Sequence, residues 1–152
     1  MKGYLFATLL TMSLLHAGPA VAADEHPHAH ESAPQLSLND GQKWVADKHT
    51  ADSVASMRSA VAASPAKAPA APVTDLRALG TQLQEQLQTL IRGCTMTGAA
   101  HDQLHTWITL LAPEIQALIK TEQPATGHAT LEKISGLLAS FDQHFAPAPQ
   151  PE

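Results

Sequence analysis

Residues 76–92 read Leu-Arg-Ala-Leu-Gly-Thr-Gln-Leu-Gln-Glu-Gln-Leu-Gln-Thr-Leu-Ile-Arg, and this stretch decides the fold. Leu76, Leu79, Leu83, Leu87, Leu90 and Ile91 recur at three- and four-residue steps, the spacing that lines one face of an α-helix. Glutamines, threonines and charges fill the other positions. The pattern predicts a helix from about Thr74 to Arg92, with Gly93 just past its end.

Three further helices flank it. Val54, Met57 and Val61 form the stripe of a first helix from Lys48 or Thr50 to Ala63. Ser64 to Pro72 is an Ala/Pro linker, where proline cannot continue a helix. Leu104, Ile108, Leu111, Ile115 and Ile119 mark a third helix, entered through Cys94-Thr95-Met96-Thr97-Gly98 and capped by Thr97 or, second, Thr95. Pro113 predicts a kink within it. Trp107 borders the stripe on one side. A turn at 123–127 leads to the fourth helix, carrying Leu131, Ile134, Leu138, Phe141 and Phe145. Trp44 is expected to anchor the preceding segment against the helices.

No segment alternates at period two, so no sheet is predicted. Four amphipathic helices must bury their stripes on one another. The predicted fold is therefore all-α, an antiparallel four-helix bundle over residues 36–146, with a less regular helical array as the alternative. A disordered histidine-containing tail (24–35) precedes it, and a frayed Pro-rich C-terminus (147–152) follows.

The N-terminus reads as a cleavable signal peptide, residues 1–23. Lys2 supplies the positive charge, and Tyr4 to Leu15 is apolar but too short to span a bilayer. Gly18 and Pro19 break the helix, and small residues allow cleavage after Ala22 or Ala23. The expected compartment is the periplasm, with no membrane span left after cleavage. The chain has 152 residues and a formal net charge of −5, which argues against a nucleic-acid partner. Its one cysteine, Cys94, cannot form an internal disulfide, and no Cys-x-x-Cys-His motif offers covalent haem attachment.

The chemistry-bearing residues gather around the third helix. His101 and His105 stand four residues apart, on one side of that helix. At about 100° per residue, His101 lies about 40° from the centre of the apolar stripe, and His105 nearer its edge. The positive helix end and partial burial both favour neutral imidazole, the form that binds metal. Cys94 and Met96 lie in the preceding turn, and Met57 reaches the same region if the first helix is a neighbour. Thiolate, thioether and imidazole together select copper, above all Cu(I), whereas zinc gains little from methionine. The bland alternatives are equally concrete: a surface histidine pair, a packed methionine, a buried thiol. His26, His28 and His30 form a second, separate chelating candidate in the tail. His49, His128 and His144 lie outside the centres of their stripes.

Catalytic motifs are missing: there is no Gly-x-Ser-x-Gly, phosphate loop or His-Glu-x-x-His. Cys94 with His101 or His105 is a conceivable nucleophile–base combination that would need hydrogen-bonding contact. The reading that follows is a non-enzymatic copper sequestration or delivery protein, whose partner is the ion or another envelope metal-handling protein. The alternatives are a b-type haem electron-transfer bundle, ligated by Met57 and a bundle histidine, and a metal-free envelope adaptor.

Two blocks, Leu38-Asn39-Asp40-Gly41-Gln42-Lys43-Trp44 and Cys94-Thr95-Met96-Thr97-Gly98-Ala99-Ala100-His101-Asp102-Gln103-Leu104-His105, resemble blocks shared by a group of small, exported, functionally uncharacterised bacterial proteins. The resemblance spans about residues 36–119. It implies an exported helical protein in which the Cys/Met/His block matters, and it supplies no function.

Overall fold

The computed structural model describes residues 35–149. The expected leader, the histidine tail up to residue 34 and residues 150–152 lie outside them. The chain forms β1 (Trp44–Ala46), α1 (Lys48–Ala63), a 3-10 turn (Pro65–Lys67), α2 (Val73–Gly93), α3 (Gly98–Ile119), α4 (Pro124–His144) and β2 (Phe145–Pro147). Each helix packs on the next in sequence, and α4 also meets α1 and α2.

The leucine ladder of α2 is the centre of the core. Leu76, Leu79, Leu83, Leu87 and Leu90 are all buried. Each such side chain removed from water contributes about 1.5–3 kcal/mol. Asp75 in the first turn and Arg92 in the last oppose the helix dipole favourably. Ile91 departs from the expected stripe. It is 52% exposed, because it directly follows Leu90 and so lies about 100° further round the helix.

Two glycines set how closely α2 approaches its neighbours. A methyl group on Gly80 would lie 2.9 Å from Ile119 Cγ1 and 2.9 Å from its backbone nitrogen. One on Gly127 would lie 2.8 Å from Leu76 Cδ1. The start of α2 therefore packs tightly against the end of α3 and the start of α4. Gly93 also serves space. It is the last residue of α2, and the His49 imidazole sits where its Cβ would be. The left-handed conformation is found at Gly98 (φ 62°), where the connecting turn meets α3.

On α3 the buried residues are Leu104, Trp107, Leu111, Ile115 and Leu118. Trp107 was expected at the edge of the stripe, yet it is 0% exposed and Ile108 is half-buried. The indole N–H explains its tolerance of burial: it donates to the Leu137 carbonyl of α4 at 2.8 Å. Phe141 meets the same ring edge-on at 5.2 Å, and Phe145 stacks on Phe141 at 4.6 Å. The helix continues through Pro113 to Ile119. Thr97 stands at its N-cap position without a side-chain bond to the helix.

The prediction of no sheet is corrected. β1 and β2 pair in parallel, with Trp44 opposite Phe145, Val45 opposite Ala146 and Ala46 opposite Pro147. Phe145 is buried as expected, but as the first strand residue and not as the last turn of α4. Pro147, expected to begin a frayed end, lies in the ladder, and the Ala148 amide donates to Ala46 O at 2.9 Å. Three-residue strands are too short to display alternation, and the pairing joins the two ends of the described chain.

Candidate metal site

The first turns of α3 carry both candidate imidazoles, and helix geometry turns them toward each other. Their Nε2 atoms are 3.1 Å apart, the ring centroids 4.4 Å apart, and the planes inclined at 67°. This is a hydrogen-bonding distance, and the tautomers of the two rings decide which nitrogen donates. His101 is half-buried and His105 exposed. Together with Ile91, Cys94, Leu104 and Ile108 they line a cavity of about 80 Å³ between the end of α2 and the start of α3.

Cys94 is the residue after α2, a free, half-buried thiol. Its placement depends on Asp47, the N-cap of α1. The Asp47 carboxylate accepts from the Thr50 amide at 2.6 Å, the Thr95 amide at 2.6 Å and the Thr95 hydroxyl at 2.8 Å. One side chain thus closes the start of α1 and ties down the residue beside Cys94. Burial pushes this carboxyl up, but the amide and hydroxyl donors of Thr50 and Thr95 more than offset it. Its pKa falls from 3.8 to about 2. Asp47 is a residue that sequence reasoning missed. Its position three residues before Thr50 is the available signal for the cap; nothing local announces Thr95.

The remaining candidates are not brought to the cavity. Met96 is half-buried against the hydrophobic core, outside the cavity lining. Met57 is 0% exposed within the core and does not line the cavity either. Its thioether is enclosed by packing, which leaves an iron ligand there no approach without displacing core side chains. His26, His28 and His30 lie outside the described residues. His49 Nε2 is bonded to Thr89 O at 3.0 Å, joining α1 to α2, and His144 Nδ1 to Ser140 O at 2.9 Å within α4, away from the cavity. His128 lines a different cavity with Lys67 and Glu132.

Among the described residues, no group of three or more His, Cys, Asp or Glu side chains converges closely enough to hold an ion. The pocket therefore offers two imidazoles in mutual contact and a thiol on the same wall, without a third donor at ligand distance.

Comparison with known proteins finds no matching family model, no matching curated protein and no matching solved structure.

Proposed function

We propose that this chain is an exported, non-enzymatic copper-binding protein of the periplasm that sequesters or delivers the ion. One observation carries the reading: His101 and His105 bring their Nε2 atoms within 3.1 Å of each other, and Cys94 lines the same cavity. Imidazole suits copper, and a neighbouring thiol shifts preference toward the softer Cu(I). Cys94 lies in the wall of that cavity, next to Thr95, whose amide and hydroxyl the Asp47 carboxylate binds. Export rests on the leader, with cleavage after Ala22 or Ala23. The helices are assigned to an antiparallel bundle, a reading supported by the short connections at 94–97 and 120–123 and by the packing of each helix on the next.

The competing reading is a metal-free envelope adaptor. The observation in its favour is that the two imidazoles already satisfy one another and no third donor stands at ligand distance. Titration of the purified chain with Cu(I), under reductant and against a chromophoric competitor, separates the two. Copper binding that weakens at least ten-fold in His101→Ala and in His105→Ala supports the copper site. Equal binding by these variants and the parent chain refutes it. Retention that disappears only when His26, His28 and His30 are replaced assigns the metal to the tail.

A further inference from the structure

Away from the imidazole pair, a second cavity of about 300 Å³ lies between the 3-10 turn and α4. Lys67 lines it from the turn. His128, Leu131, Glu132 and Ser135 line it from α4, at the three- and four-residue steps that share one helix face. Leu131, 5% exposed, supplies its apolar surface. The volume is at the lower end for small-molecule sites, which suits a ligand of amino-acid size.

The polar groups around this cavity do not satisfy one another. Lys67 and Glu132 carry opposite charges yet form no ion pair; those among the described residues are Lys48–Asp52, Arg58–Asp142 and Lys133–Glu114. His128 Nε2 is buried and has no hydrogen-bond partner among the described residues, a costly state that a bound group or water relieves. The Ser135 hydroxyl already donates to Leu131 O at 2.8 Å, so its oxygen is left only to accept. A cationic donor thus stands on the turn, and the acceptors Glu132 and Ser135 stand one helical turn apart on α4. A simple anion would meet like charge at Glu132, and a simple cation would meet it at Lys67. A ligand with both a carboxylate and an ammonium matches both walls. We infer that this cavity binds a free amino acid with an apolar side chain. The ligand carboxylate pairs with the Lys67 ammonium, its ammonium with the Glu132 carboxylate and the Ser135 oxygen, and its side chain covers Leu131. The site shares no residue with the imidazole pair, so its test is independent of copper.

Calorimetric titration of the purified chain with L-leucine tests it, with amide chemical shifts locating the contact. Two probes that each lack one charge run beside it: L-leucinamide, without the carboxylate, and N-acetyl-L-leucine, without the ammonium. The expected result is saturable binding of one L-leucine per chain, with shifts at Leu131, Glu132 and Ser135. Both analogues bind at least about ten-fold more weakly. Lys67→Ala and Glu132→Ala each weaken L-leucine binding to a similar degree while keeping the parent's thermal melt, because both side chains are exposed. Absence of saturable binding overturns the inference. Analogues or variants that bind as tightly as the parent pair, or shifts confined to other parts of the chain, overturn it as well.

Discussion

Replacing Asp47 with alanine isolates the bonds that join the start of α1 to the turn before α3. The carboxylate receives the Thr50 amide at 2.6 Å, the Thr95 amide at 2.6 Å and the Thr95 hydroxyl at 2.8 Å. Loss of an N-cap costs about 1 kcal/mol. Thr95 is exposed, so water replaces part of what its two bonds contribute. The expected loss at pH 7 is about 1–2 kcal/mol, a fall in urea midpoint of about 1 M for a domain of this size. The pH dependence adds an independent check. A carboxyl whose folded pKa is depressed from 3.8 to about 2 stabilises the fold fully above pH 4. That contribution declines as pH falls toward 2. The full shift corresponds to about 2 kcal/mol for a dry group. Asp47 is only partly buried, so screening by water reduces the value to about 1 kcal/mol. Urea unfolding followed by circular dichroism between pH 7 and pH 2.5 measures both quantities. The variant is expected to start lower and to lose less on acidification, so the two curves converge. A difference below about 0.3 kcal/mol at pH 7, or parallel curves throughout, would refute this account of the carboxylate.

Other perturbations follow from the same packing. Gly80→Ala removes a poor helix former but drives a methyl group to 2.9 Å from the Ile119 backbone nitrogen. Backbone yields less readily than a side chain, so overpacking wins by about 1–2 kcal/mol and lowers Tm by roughly 5–10 °C; an unchanged or raised Tm would show that α2 and α3 can separate freely. Trp107→Phe leaves the Leu137 carbonyl without its indole donor and opens space beside Phe141, costing about 2–4 kcal/mol in chemical unfolding. A cost under about 1 kcal/mol would mean that the indole bond and its packing contribute little. The expected loss of copper affinity on changing His101 or His105 completes the set.

The differences between expectation and structure have local causes. Ile91 reads as part of the leucine stripe because its neighbour Leu90 is; only helix–helix packing decides which of two adjacent apolar residues turns inward. Trp107 reads as peripheral on a helical wheel, yet its buried N–H finds the Leu137 carbonyl on another helix, a partner that periodicity along α3 cannot reveal. Gly93 reads as a helix terminator, whereas its lack of a side chain leaves room for His49. The paired segments Trp44–Ala46 and Phe145–Pro147 are too short to carry a pattern, and each finds its hydrogen bonds only once the helices bring them together.

For the candidate site the division is similar. Four-residue spacing on a helix was enough to place His101 beside His105, since the 3.6-residue turn leaves little choice. The sulfur donors depended on contacts across the fold. The Asp47–Thr95 bonds help hold the turn that carries Cys94, while core packing enclosed Met57 and kept Met96 off the cavity.

From the linear chain alone came the helices, their main apolar faces and the imidazole pair, because each is written in neighbours separated by one turn. Only the three-dimensional arrangement decided the terminal strand pair, the burial of Trp107, the separation of the two methionines from the cavity and the clamp at Asp47. Those features join segments tens of residues apart, and their geometry exists only after the helices have packed.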